Sequence, residues 1–340
     1  MTTTWKTAVA LSAAALVGLT GCAGGSGSNG SGSNKEVSIA GFSVLQTANK
    51  KVFDDFNKTT AGKGVTFKTS YGASGDQSRA VLAGLDVDEV HLSLEPDVTK
   101  LVDGGIVDSN WKDGANKGVL TQSVVVLVVR KGNPKNIKTW ADLIKPGVKI
   151  VTPNPGSSGS AKWNILAAFG QVIAQGGSEA DATSYLTKFL NNTVALPGSG
   201  HDATTAFEGG TGDVLLSYED EAIEARQAGA DFDYIVPDQT LLIQNTGALT
   251  KGANASAKAF LDFQLSKEGQ TDYAEEGFRP LDPAIKVPVT GANDPNNPFP
   301  TPTTLLTIDK NFGGWDAANT KFFDDTNGLV TKLLAATGKS

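Results

Sequence analysis

Between Lys149 and Gln175 the chain reads KIVTPNPGSSGSAKWNILAAFGQVIAQ. Lys149–Thr152 is a short β-type run, and Ala161–Gln175 is a helix-rich segment. The small-residue turn Asn154–Ser160 joins them. A strand that feeds a helix through a Gly/Ser turn is the building unit of an α/β protein. A helix start leaves backbone N–H groups without partners and carries the positive end of the peptide dipole, so such a turn can also receive an anion.

Two further turns have the same form. Tyr71–Gln77 follows the run Val65–Ser70, and Pro197–Asp202 follows Val194–Leu196. Any one of them is explained by ordinary helix capping. Three of them facing one point would make a nest of donors for an oxyanion. The strands Glu36–Ala40, Glu89–Leu94, Gln122–Val129 and Asp213–Ser217 continue the alternation. The helices expected are Ala48–Asn57, Asp76–Ala83, Glu179–Phe189, Asp220–Ala228, Ser256–Leu265 and Lys267–Glu276. Pro295, Pro298, Pro300 and Pro302 make Gly291–Thr304 an extended surface segment ahead of the last helices, near Asp316–Phe323 and Gly328–Ala336.

The amino terminus carries an address. Lys6 precedes an apolar run from Ala8 to Leu19, too short to span a bilayer but suited to the core of a secretory signal. The run ends in Leu19-Thr20-Gly21-Cys22, which resembles the bacterial lipobox and makes residues 1–21 a removable signal with Cys22 as the lipidated first residue. The Gly/Ser-rich residues 22–34 read as a tether. Cys22 is the single cysteine, so the body is held by packing without a disulfide. From Lys35 about 300 residues remain, enough for two lobes.

A net charge of −7 without any Lys/Arg run speaks against a nucleic-acid partner. With two histidines, His91 and His201, and no Walker loop, dinucleotide fingerprint, nucleophile elbow or zinc spacing, no catalytic residue, metal or cofactor is expected. Ser199, His201 and Asp202 stand too close in sequence to form a nucleophile, base and orienter, and read as a loop entering a helix.

Longer motifs recur in order along the chain. They are Gly132–Lys135, Trp140–Val148, Thr152–Pro155, Ser158–Asn164, Gly212–Glu219, Gly277–Pro280 and Phe312–Trp315. In these the sequence resembles the periplasmic sulfate-binding proteins of bacterial ABC importers over nearly the whole mature chain. The resemblance implies a type II-like periplasmic-binding-protein fold, two hinge-linked α/β lobes joined by crossing strands. A dehydrated sulfate would be held between them by neutral donors, without a bound cation. It places lobe one at residues 35–128 and 245–313, lobe two at 129–244, and a C-terminal helical segment at 314–340.

Carried over by position, the resemblance implies a backbone N–H from Ser74, the hydroxyl of Ser158, the N–H groups of Gly159 and Ser160, and a donor at Gly200. Ser160 stands where many members have Gly. Tyr218 stands where the best-known sulfate binders have a tryptophan, so a hydroxyl that both donates and accepts replaces an indole that only donates. At the first strand's end Ser43 is the implied backbone contact, with Val44 as its alternative.

A donor-only site suits sulfate, a dianion with no proton, and disfavours monohydrogen phosphate, whose O–H would face another donor. Asp76 could accept that proton, but stabilisation of the helix start is the reading preferred, with Arg79 as its charge partner. The expected function is thus a monomeric extracytoplasmic lipoprotein that delivers sulfate to a permease and its ATPase. Thiosulfate, molybdate or phosphate on the same fold is the alternative, and a secreted ester hydrolase the remote one.

Overall fold

A computed structural model describes residues 35–339. The apolar leader, Cys22 and the Gly/Ser tether lie outside the described residues. Ten strands form one mixed sheet: β1 (Glu36–Phe42), β2 (Thr66–Gly72), β3 (Glu89–Leu92), β4 (Val119–Arg130), β5 (Ile150–Val151), β6 (Thr193–Ala195), β7 (Val214–Tyr218), β8 (Phe232–Ile235), β9 (Gln239–Leu249) and β10 (Thr304–Leu306). The order is β2-β1-β3-β9-β4-β7-β5-β6, with β10 on β9 and β8 on β4.

The sheet has two halves. In the first, β2, β1 and β3 run parallel and β9 pairs with β3 in the opposite sense. In the second, β6, β5 and β7 run parallel and β7 pairs antiparallel with β4. The long strands β4 and β9 connect them. Val119–Val124 of β4 lies against Leu242–Thr246 of β9, and the next β4 residues, Val125–Val129, turn to β7.

This arrangement places helix starts at the carboxyl ends of parallel strands, where open α/β sheets bind ligands. β2 ends at Gly72 and the helix Ser74–Leu82 begins; β5 ends at Val151 ahead of Gly159–Ala174; β6 ends at Ala195 ahead of Gly200–Glu208. The first half is cemented by aromatic packing, with Phe53 stacked on Phe67 at 3.8 Å and Phe260 at their edges. The second half packs the helix Gly159–Ala174 under the chain's end, where Trp163 meets Trp315 and Phe169 meets Phe322, each pair edge-to-face at 4.8 Å.

Six elements escape the sequence reading: β8, β9, β10 and the helices Glu95–Asp103, Trp140–Leu143 and Ile308–Phe312, and β4 also begins three residues before the expected Gln122. β9 carries Gln244, Asn245 and Thr246 in mid-strand, polar residues that hide it from an apolar-run criterion, because its centre lies in the crossing between the halves. The helix Glu95–Asp103 has Pro96 in its first turn, a position where proline fits, yet only nine residues in which to display a period. Residues 291–303 hold no helix or strand, as the prolines require, and β10 starts at Thr304.

Candidate functional site

The first turn of the helix Ser74–Leu82 is built around a buried hydroxyl. Ser74 Oγ donates to Asp97 Oδ2 at 2.7 Å and accepts the Ser93 N–H at 3.0 Å. The second carboxylate oxygen of Asp97 meets Lys100 Nζ at 3.1 Å. The Ser74 hydroxyl is thus committed to the scaffold, and its backbone N–H, at the first helical position, has no intrahelical acceptor. Next along, the Gly75 N–H crosses to Ser157 O in the second half at 3.1 Å. A Cβ on Gly75 would stand 2.9 Å from that carbonyl oxygen, so glycine is needed for the approach.

The turn before Gly159–Ala174 is organised by Asn154, whose carbonyl accepts the Ser158 N–H at 2.9 Å and whose own N–H donates to Pro197 O at 2.8 Å. Ser157 Oγ donates to Gly198 O at 2.7 Å, so the turns before Gly159 and Gly200 brace one another. Ser158 is the N-cap residue, but its side chain makes no capping bond. Gly159 and Ser160 open the helix with N–H groups free of intrahelical acceptors. Ser160 Oγ is buried without a hydrogen-bond partner. Here too glycine permits a close approach, because a Cβ on Gly159 would lie 2.5 Å from Ser93 Oγ and 2.9 Å from Leu94 Cγ of the first half.

The third start is capped conventionally. Ser199 Oγ accepts the Asp202 N–H at 3.1 Å and donates to Asp202 Oδ2 at 2.8 Å. His201 is exposed, so Ser199, His201 and Asp202 form a cap and not a catalytic line. Gly200 is buried. A Cβ there would lie 3.2 Å from Val44 Cγ2, 3.4 Å from Glu221 Oε2 and 3.5 Å from Ser160 Cβ. The His201 N–H reaches Ser43 Oγ at 3.4 Å. Ser43, Val44, Ser160 and Gly200 are therefore brought together, with Val44 as the N-cap residue of the helix Leu45–Lys58.

Tyr218 ends β7 and is fully buried. Its hydroxyl lies 2.6 Å from Ser93 Oγ, joining the two halves beside Gly159. Burial pushes its pKa up, so it stays a neutral phenol. Ser74, Gly159 and Tyr218 all converge on Ser93, and Ser43, Val44 and Ser160 on Gly200. Asp76 and Arg79 form an exposed ion pair with each other, although Arg79 also flanks Gly75.

Sequence reasoning missed Ser93, Asp97 and Glu221. Ser93 and Asp97 act through contacts across sequence gaps of about twenty residues or more, which no local pattern announces. Glu221 is a buried carboxyl beside Gly200. Its Oε2 accepts the Ser217 hydroxyl at 2.7 Å, while Oε1 has no partner. Burial raises its pKa and favours the neutral acid. Its neighbour Asp220 is raised well above the usual range for the same reason, and Glu219 is clasped by Arg279 through contacts of 2.6 and 3.0 Å. Among the described residues no group of three or more His, Cys, Asp and Glu could hold a metal ion.

Residues 37–279 match the family described as bacterial extracellular solute-binding protein. The sulfate-binding protein of Synechococcus elongatus is 38% identical over 328 residues, covering 93% of this chain and 92% of that relative. The thiosulfate-binding protein of Pseudomonas aeruginosa is 34% identical, with coverage of 80% and 84%. Among solved structures, the sulfate-binding protein SubI from Mycobacterium tuberculosis H37Rv superposes with a TM-score of 0.79 at 41% identity, covering 85% of this chain and 99% of that one.

Proposed function

Because the chain belongs to the bacterial extracellular solute-binding proteins and, within them, to the sulfate-binding group, we propose that it captures sulfate outside the plasma membrane for the permease and ATPase of an ABC importer. Membership makes it a solute-binding protein and not an enzyme. One observation carries the ligand assignment. Three helix starts from both halves present neutral donors in buried turns that touch one another, and Arg79, which flanks the first of them at Gly75, is held by Asp76.

The ligand contacts we assign are the backbone N–H groups of Ser74, Gly159, Ser160 and Gly200, the hydroxyl of Ser158, and a contact from Ser43 or Val44, with Tyr218 standing behind them against Ser93. The helix dipoles and orphan amides supply the positive potential that a dianion needs. Lobe one is assigned residues 35–128 and the return from 245, and lobe two residues 129–244, with the hinge in the crossing strands β4 and β9. Of the return, expected in lobe one as far as 313, residues 289–313 pack on lobe two, where Asn293 bonds to Tyr234 and β10 pairs with Gln239–Leu241. Residues 314–340 extend lobe two. Cys22 carries the lipid, and residues 22–34 give the body reach from the membrane.

Isothermal titration calorimetry with sodium sulfate tests the reading. Saturable heat with one site per chain and a rise in melting temperature are expected. Neither signal at millimolar sulfate would discard sulfate as the ligand.

A further inference from the structure

Ser93 is the hub between the halves. Its N–H donates to Ser74 Oγ, its carbonyl accepts Trp163 Nε1 at 3.0 Å and Asn245 Nδ2 at 3.3 Å, and its hydroxyl meets Tyr218. The direction of the protons around it can be worked out by counting. A carbonyl has no proton to give, so the Asn245 atom facing Ser93 O must be Nδ2, and Oδ1 must face Thr121 Oγ1 at 3.1 Å. Thr121 then uses its single proton on Oδ1. His91 Nε2, 3.3 Å from the same hydroxyl, has to be the donor. Burial pushes the His91 pKa down to about 3, so this imidazole is neutral with its one N–H on Nε2, and its Nδ1 is the atom without a partner.

Across the 2.6 Å contact the phenol, the stronger acid of the two hydroxyls, donates to Ser93 Oγ. The bonds from His91 through Thr121 and Asn245 end on the Ser93 carbonyl, the Tyr218 phenol ends on its hydroxyl oxygen, and one proton is left over on Ser93 itself. The closeness of Ser93 Oγ to Gly159 sets that proton at the start of the helix Gly159–Ala174.

We propose that the Ser93 hydroxyl is a further ligand donor, aimed at a proton-free tetrahedral dianion by Tyr218 and Asn245 as positioning residues. This rests on the sulfate reading and deepens it. The site keeps its donor-only character although a hydroxyl replaces an indole at Tyr218, because Tyr218 faces Ser93 and Ser93 alone faces the ligand. Monohydrogen phosphate is disfavoured, since the accepting side of Ser93 Oγ is already filled by Tyr218.

The test uses the full chain, titrated calorimetrically with sodium sulfate alone and against inorganic phosphate, where monohydrogen phosphate predominates. Ser93→Ala is expected to weaken sulfate about tenfold or more. Tyr218→Phe frees the accepting side of Ser93, so phosphate should compete about tenfold better while sulfate alone changes by less than about threefold. A purely structural role for Tyr218 would not move that ratio. If Ser93→Ala fails to fold, Tyr218→Phe decides by the ratio. Wild-type affinity in Ser93→Ala, or an unchanged ratio in Tyr218→Phe, overturns the inference and leaves the sulfate reading standing. A wild-type chain that ignores sulfate overturns both.

Discussion

The starts of the helices Ser74–Leu82 and Gly159–Ala174 look alike in sequence, each a small-residue turn with a serine beside a glycine, yet they use their hydroxyls in opposite ways. Ser74 Oγ is committed twice, to Asp97 and to the Ser93 N–H. Ser158 Oγ makes no capping bond, and Ser160 Oγ is buried without a partner. One turn is a joint that fixes the scaffold, and the other leaves the hydroxyls of Ser158 and Ser160 uncommitted. A serine at a helix start therefore cannot be given a role from its position alone. The third atom, here a carboxylate from Asp97 or nothing, decides it.

The harshest way to break the contrast is to fill the space between the two starts. Gly159→Val places branched carbon where even a Cβ comes within 2.5 Å of Ser93 Oγ and 2.9 Å of Leu94 Cγ. Overpacking of this kind costs about 1–3 kcal/mol or more, and it falls on the contact between the halves. Sulfate affinity should drop by about a hundredfold. Calorimetry on Gly159→Val reads this directly, and an affinity within a few-fold of wild type would show that Gly159 and Ser93 need not approach.

The serines themselves come next. Ser158→Ala should weaken sulfate by about 1.5–3 kcal/mol, the worth of a hydrogen bond to a charged group, with the melting temperature nearly unchanged. Ser74→Ala should do the reverse. It leaves the Ser93 N–H and one Asp97 oxygen without their buried partner, which lowers stability by about 1–3 kcal/mol, and sulfate affinity falls less than in Ser158→Ala. Chemical denaturation and titration of the two variants side by side would expose the contrast as false if both lost the same quantity.

The alternation of strand and helix, the three turns and the expectation of two lobes were all legible, because apolar runs and Gly/Ser punctuation are local signals. β9 was not. Its middle, Gln244-Asn245-Thr246, is polar because it crosses between the halves and its side chains serve both, with Asn245 reaching Ser93 and Thr121. Within the site, the helix starts could be read from the turns, whereas the places of Ser93 and Asp97 could not. Their roles come from β3 and the helix after it lying beside β1 in the sheet, which is tertiary information. The same holds for Glu221, whose nearness to Gly200 depends on how two helices of the second half meet.

A gentler probe of the first half is pH. Glu89 of β3 is fully buried with Oε1 bonded to Gln264 Nε2 at 2.7 Å and Oε2 without a partner. Burial raises its pKa from 4.5 to about 8. The folded value lies above the unfolded one, so its contribution is complete below pH 4.5 and is lost as pH climbs toward about 8. The slope is at most about 1.4 kcal/mol per pH unit. Glu89→Gln keeps the Gln264 contact without a titrating proton and should flatten the fall in melting temperature between pH 5 and 8 (a range of roughly the size set by the shift). An identical pH profile in the variant would mean that Glu89 is not the group responsible.

The smallest effect belongs to the charges nearest the first turn. Asp76 and Arg79 pair with each other, each with about half of its side chain exposed. Pairs so exposed contribute within about 0.5 kcal/mol. Asp76→Asn should thus leave stability and sulfate affinity almost unchanged. The same variant addresses the one way in which the Ser74 turn could discriminate among oxyanions, namely by Asp76 accepting a proton from monohydrogen phosphate. With the carboxylate turned toward Arg79, phosphate competition against sulfate should be equal in wild type and Asp76→Asn. A loss of phosphate competition in the variant would bring Asp76 into the site and give the Ser74 turn a selective role of its own.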